Sequence, residues 1–338
     1  MNVVWLVPVA FASAFILTGI LRRYAFSKHL IDIPNDRSSH SIPTPRGGGV
    51  AIVISFLLAL CLLYMDGVIP TDLLLSGLGA GAFVAVLGFM DDHGHIAARW
   101  RLLGHFAAAG WALYWLDGLP PVYVFDQVFD LGWPGSVLAA FFLVWLLNLY
   151  NFMDGIDGLA GVEAVTVSLG ACVLYWLDDD NFLMWPPLLL SCSVCGFLIW
   201  NFPTARIFMG DAGSGFIGLM LGILALQAGW VSFELFWGWL ILLGVFIVDA
   251  TFTLLRRLLR GEKVYEAHRS HAYQFAARRY GKHWPVTITV GLINLLWLLP
   301  IAIGVTRFQF NEVIGLFLGY VPLALLAFRF QAGRTEAL

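Results

Sequence analysis

Apolar runs of roughly 20 residues follow one another almost from end to end of this chain, and no segment between them is long enough to fold as a soluble domain. A hydrocarbon layer about 30 Å thick needs about 20 apolar residues per helix. The chain can therefore fold as a bundle of membrane-crossing helices and as little else. Its 338 residues are 60% hydrophobic and 12% charged, with a mean hydropathy of +0.82, which excludes an ordinary soluble enzyme. The net charge of −3 says nothing in favour of a nucleic-acid partner.

The runs predict an all-α, polytopic membrane protein, one catalytic domain over residues 1–338 with eleven crossings. These lie near 3–21, 47–64, 72–90, 101–117, 134–150, 159–177, 183–200, 213–229, 231–252, 284–305 and 310–328. An odd number puts the termini on opposite sides. With the N-terminus periplasmic, the connections 22–46, 91–100, 151–158, 201–212 and 253–283 and the C-terminal tail are cytoplasmic. All but one of the 19 lysines and arginines then lie on that side, Arg101 at its edge, and Arg307 is the exception. The positive-inside rule fixes this orientation without any motif. Arg22 and Arg23 follow the first run instead of preceding it, the reverse of a secretory signal peptide, so that run reads as a retained helix. Cys61, Cys172, Cys192 and Cys195 all fall in apolar runs and imply no disulfide framework.

Carboxylates and glycines gather on the face the basic residues define. Asp91-Asp92 follows the third run, the string Asn148 to Gly158 precedes the sixth, and Phe208 to Gly215 precedes the eighth. Adjacent carboxylates at a helix C-terminus oppose each other and the dipole, at about 0.3–1 kcal/mol per exposed charge. A bound cation reverses that sign. Mg²⁺, or Mn²⁺ in its place, is expected, because it takes hard oxygen ligands from one or two carboxylates, phosphates and water. Arg46-Gly47-Gly48-Gly49 stands where a helix begins, and its amides, with the arginine beside them, suit a phosphate. His268 and His271, three apart, are expected together on a helix near the site. Glu163 and Asp249 lie inside apolar runs, and Asp249 shares a helix face with Arg256, so a structural pair is at least as reasonable as catalysis there.

Taken in order, Asp91-Asp92, the Asn148-to-Gly158 string, Phe208-Met209-Gly210-Asp211-Ala212-Gly213-Ser214 and His268-Arg269-Ser270-His271-Ala272-Tyr273-Gln274 resemble the polyprenyl-phosphate N-acetylhexosamine-1-phosphate transferases. That family holds the WecA-like, TagO-like and MraY-like enzymes of glycosyltransferase family 4, and the histidine segment is most similar to the WbpL-type members that initiate O-antigen. The resemblance runs from Arg46 to the histidine segment. It implies a bacterial inner-membrane enzyme with a cytoplasmic, Mg²⁺-dependent site that takes a UDP-N-acetylhexosamine and a polyprenyl phosphate, and it allows a homodimer. By the same resemblance Asp211 and Asp92 would bind the metal. Asp91 and Asp92 would serve lipid-phosphate activation, Asp154 and Asn151 the sugar diphosphate, Asp157 and Phe208 the uracil, and Asn148 and Arg101 the phosphate surroundings. Arg46, Gly48 and His268 are added as substrate-binding residues and His271 as a catalytic one. Tyr273 and Gln274 replace the last two histidines of the family's His-x-His-His string, which argues against an enzyme acting on a muramoyl-pentapeptide donor. A transporter of nucleotide- or lipid-linked sugars would place its ionisable groups near mid-bilayer instead of at one face, and a lipid-binding scaffold would not need three carboxylate segments.

Overall fold

The computed structural model describes residues 3–34, 42–94, 96–125, 127–262 and 268–334. Parts of the expected cytoplasmic connections 22–46, 91–100 and 253–283 and of the C-terminal tail lie outside the described residues.

Uninterrupted apolar sequence becomes helix wherever the runs predict it. The elements are α1 (Leu6–Ser27), α2 (Gly49–Met65), α3 (Thr71–Leu75), α4 (Gly81–Gly94), α5 (Ala98–Leu116), α6 (Gly132–Met153), α7 (Leu159–Leu177) and α8 (Trp185–Asn201). They continue with α9 (Asp211–Val231), α10 (Phe233–Leu242), α11 (Gly244–Leu259), α12 (Ala272–Tyr280), α13 (Trp284–Ile293), α14 (Leu299–Phe308) and α15 (Glu312–Arg329). A π-helical turn over Ser76–Ala80 joins α3 to α4, and another over Asn294–Leu298 joins α13 to α14. Two short antiparallel pairs interrupt the all-α pattern, Ile31–Asp32 with Thr44–Pro45 and Val122–Val124 with Gln127–Phe129.

Among the described residues, eight helical segments are long and apolar enough to cross a membrane, and nine if α10 and α11, bent by 64°, count as one span. The chain is a multi-pass membrane protein. The expected run at 47–64 is a 17-residue helix, short of that length, and the one at 101–117 carries Arg99, Arg101 and His105 into its first turns. Side chains such as Trp133, Leu296 and Phe317 face outward from the bundle, as lipid contact requires.

The buried axis is α9. Its small residues let α2, α4 and α6 pack directly on it. Gly49 and Gly213 meet backbone to backbone, so a methyl group on either would overlap the other's Cα. This contact sets the N-termini of α2 and α9 side by side. The C-terminal ends of α4 and α6 arrive at the same end of the bundle.

Candidate active site

Asp211 opens α9 after Gly210, whose φ of +77° is a conformation that favours glycine. A Cβ at Gly210 would also lie 2.6 Å from the Asp92 Oδ2. Asp92, buried at the end of α4, accepts the N–H groups of Asp211 (3.3 Å) and, at longer range, Ala212 (3.5 Å), and so faces the positive end of α9. Arg46 donates to the Asp92 carbonyl, and its Nε stands 3.9 Å from the carboxylate. Asp91 accepts the Ile96 N–H at 2.5 Å and pairs with Arg101, whose same nitrogen reaches Asp211 at 3.2 Å. One guanidinium thus bridges a carboxylate 10 residues before it and another 110 residues after it.

The 148–158 string caps α6 and lines the other side. Asn148 donates to the Val144 carbonyl and lies 3.4 Å from His105, and Asn151 donates to the Ser214 hydroxyl at 3.3 Å. Burial, then the charges of Asp211, Asp92 and Asp157, push the Asp154 carboxyl well above its usual range. Asp157 accepts the Ala205 N–H at 3.1 Å and lies 3.2 Å from the His283 ring.

Two cavities meet these residues. An enclosed pocket of about 40 Å³ lies between α4, α5, α6 and α9, polar at Arg101, Asn148, Asn151 and Asp211 and apolar at Leu87 and Leu147. An open cleft of about 520 Å³ is lined by Asp157, Thr204, Phe208, Lys282 and His283. The 148–158 and 208–215 segments contribute to both.

Five aspartates share this end with Arg46 and Arg101, an all-oxygen donor set with an excess of negative charge that suits Mg²⁺. Among the described residues no three such ligands form a complete cage, so a divalent ion here would complete its shell with phosphate and water.

The structure corrects several expectations. The Gly48 and Gly49 amides donate to the Phe208 and Met209 carbonyls at 2.9 and 2.8 Å, while Phe208 N–H donates to Pro45. They form a backbone ladder, so Gly48 offers no free amide to a phosphate. His268 and His271 do come together, with ring centroids 4.9 Å apart, but only His271 belongs to a helix, as the N-cap of α12. His271 is buried and lines neither cavity. Burial, with His271 and Arg257 nearby, holds the His268 pKa down to about 3. Asp249 does not pair with Arg256, which donates to Ala332 instead. Its carboxylate accepts the Ala272 and Tyr273 N–H groups (2.9 and 3.1 Å) and sits 3.5 Å from His271. Asp249 therefore caps α12, a role invisible in sequence because its partners lie over 20 residues on. Glu163 accepts from Asn294 at 2.7 Å and holds α7 against the start of the second π turn. Tyr273, the departure from the histidine string, is buried and donates to the Phe152 carbonyl at 3.0 Å, while Gln274 closes a capping box with His271.

Residues 74–229 match the family model described as glycosyl transferase family 4. The chain is 32% identical over 273 residues to a probable undecaprenyl-phosphate N-acetylglucosaminyl 1-phosphate transferase of Bacillus subtilis, covering 78% of this chain and 74% of that one. The chain belongs to glycosyl transferase family 4. Across the family it is also 27% identical to the decaprenyl-phosphate N-acetylglucosaminephosphotransferase of Mycobacterium tuberculosis, over 93% of this chain and 85% of the relative. It is 26% identical to a phospho-N-acetylmuramoyl-pentapeptide-transferase of Bacillus licheniformis, over 86% and 92%. The family segment carries the Asp91-Asp92 pair, the 148–158 string and Asp211, and ends before His268.

Proposed function

We propose that this enzyme transfers N-acetylhexosamine-1-phosphate from a UDP-sugar to a polyprenyl phosphate, giving polyprenyl-diphospho-sugar and UMP. The observation that carries the reading is the pair of cavities walled by the same two segments, 148–158 and 208–215. The enclosed pocket suits the lipid phosphate, with apolar Leu87 and Leu147 behind Arg101 and Asn148. The cleft, within the roughly 300–1,000 Å³ range of small-molecule sites, suits the nucleoside beside Phe208 and Asp157. The sugar diphosphate then lies between them, along Asn151, Asp154 and Asp211.

In the reaction an acceptor phosphate oxygen bonds to the β-phosphorus of the donor while the bond from that phosphorus to the UMP oxygen breaks. One phosphoanhydride replaces another, so catalysis is positioning and charge stabilisation. Mg²⁺, held by Asp211 and Asp92, would supply neutralisation of the donor diphosphate. Arg101 holds the acceptor phosphate, and Asp91, fixed by Arg101 and the Ile96 N–H, orients that phosphate or takes its proton. Asp154 and Asn151 align the sugar diphosphate, and Arg46 offsets the charge of Asp92. In this reading the N-terminus is outside and the chemistry lies on the cytoplasmic side of a bacterial inner membrane, where it would initiate a cell-surface glycan such as O-antigen; the lysines and arginines gathered on that side of the sequence support it. The Bacillus licheniformis relative favours a muramoyl-pentapeptide donor as the second reading. Tyr273 and Gln274, committed to contacts within the protein, weigh against it.

Detergent-purified enzyme should release UMP from a UDP-N-acetylhexosamine only when polyprenyl phosphate and Mg²⁺ are both present. Asp211→Asn and Asp91→Asn should each lower that rate by orders of magnitude at unchanged melting temperature. Near-normal turnover in both variants would overturn the assignment. Mass spectrometry of the lipid product across a panel of UDP-sugars identifies the donor.

A further inference from the structure

We infer that His283 is a positioning residue for the donor nucleoside, acting through Asp157, in the wall of the cleft. The inference rests on the donor reading above. It adds a residue that lies 126 positions from Asp157 and beyond the segment matched by the family model.

Asp157 is gripped by three elements. Ala205, from the connection between α8 and α9, donates its N–H to Oδ2 at 3.1 Å. His283, the N-cap of α13, accepts the Asp157 backbone N–H on Nδ1 at 3.4 Å and brings the same nitrogen to 3.2 Å from Oδ1, and Thr287, one turn into α13, donates its hydroxyl to the Asp157 carbonyl at 2.8 Å. Both side chains of the His283–Asp157 pair are largely withdrawn from solvent, 21% and 13% exposed, which strengthens their contacts relative to those of a surface pair. The two residues also line the cleft, together with Thr204 and Phe208.

The geometry makes the cleft a composite of four chain segments, and Asp157 is the point at which three of them are tied. With its Oδ2 held by the Ala205 amide, its Oδ1 against the His283 ring and its backbone N–H donating to that ring, Asp157 is fixed in one orientation. It presents one fixed acceptor surface to the planar, N–H-bearing base of a pyrimidine nucleotide. Without His283, the Asp157 N–H loses its acceptor, Oδ1 loses its neighbour, and the 151–158 segment keeps only Thr287 as its tie to α13. Nucleotide binding should weaken while the phosphate chemistry near Asp91 and Asp211 proceeds. The residue therefore acts on donor affinity more than on turnover.

His283→Ala should raise the KM for the UDP-sugar and the inhibition constant of UMP together, by about tenfold each. The KM for polyprenyl phosphate should stay unchanged and kcat should fall no more than about threefold. His283→Asn, whose amide oxygen can still accept the Asp157 N–H, should restore both donor constants to within about threefold of the natural enzyme. A merely structural role would lower kcat or melting temperature without separating the two substrates. Thr287→Val supplies the same measurement if His283→Ala does not fold. Equal inhibition of the natural and His283→Ala enzymes by UMP would overturn the inference and leave the donor reading standing. Failure of UMP to compete with the donor in the natural enzyme would overturn the donor reading itself.

Discussion

Gly155 sits within the 148–158 string, and a Cβ built there would run into the Tyr273 hydroxyl, with the ring Cζ next at 3.2 Å. Gly155→Ala therefore forces either the string or α12 to move. Overpacking of this kind costs about 1–3 kcal/mol, and displacing the Tyr273 hydroxyl from the Phe152 carbonyl adds about 0.5–1.5 kcal/mol. If about 2 kcal/mol of this is expressed as misplacement of Asn151, Asp154 and Asp157, kcat/KM for the donor falls about thirtyfold. Tyr273→Phe alone loses the hydrogen bond but creates no clash, and should cost about fivefold.

The double variant is the decisive measurement. Without the hydroxyl, the new methyl group meets only the ring edge, so Gly155→Ala/Tyr273→Phe should be about as active as Tyr273→Phe alone. UMP release at subsaturating donor gives the three ratios, and the coupling should be roughly 1–2 kcal/mol in the sense of rescue. If the two losses simply multiply, the contact between α12 and the aspartate string does not govern the site and the reasoning fails.

Asp249→Asn places an amide where two helix N–H groups expect an acceptor; hydrogen exchange over residues 270–280 should accelerate and kcat/KM should drop about tenfold, and unchanged protection there would refute the capping role. His268, held near 3 in the folded state against 6.5 unfolded, binds fewer protons when folded, so its contribution is intact above about pH 6.5 and is lost as pH falls. The melting temperature should thus decline between pH 7 and 5, and His268→Gln should flatten that decline; identical slopes would count against it. Gly213→Ala drives a methyl into the Cα of Gly49 and should lower both melting temperature and activity, since α2 and α9 must part; a variant of normal stability would show that this contact is slack.

The helices were legible because apolarity over about 20 residues is a strong local signal, and each of the eleven expected runs coincides with a helix or a joined pair. What hydropathy does not record is where a run breaks. Leu243 is as apolar as its neighbours, yet α10 and α11 part there at 64°, with Gly244 the one residue hinting at it. The positions gathered at the candidate site were legible by type, as acids and glycines in excess at helix ends. Their partners were not. The bridge from Arg101 to Asp91 and Asp211, the cap from Asp249 to α12 and the tie from His283 to Asp157 all join distant segments, and no local period encodes them. The Gly48 amide misled for a related reason: a free N–H at a helix start is the default, and only the fold shows the Phe208 carbonyl arriving to accept it.

The close packing and the charge at this end of the bundle are one design. Carboxylates gathered at the end of a membrane-protein bundle repel one another strongly unless water or counter-charge intervenes. Yet the Gly49–Gly213 contact and the approach of Asp92 to Gly210 bring the ends of α2, α4 and α9 as near as backbones allow. The N-terminus of α9 offsets part of the repulsion at Asp92, and Arg101 offsets more at Asp91 and Asp211. Asp154 receives neither, and among the described residues no cation pairs with it; its carboxyl is driven toward the protonated form. The arrangement is electrostatically incomplete at Asp154, in a segment that contributes to both cavities. The close packing of the apolar bundle behind it holds these groups together, and the positive charge it lacks is what a divalent ion arriving with a diphosphate would bring.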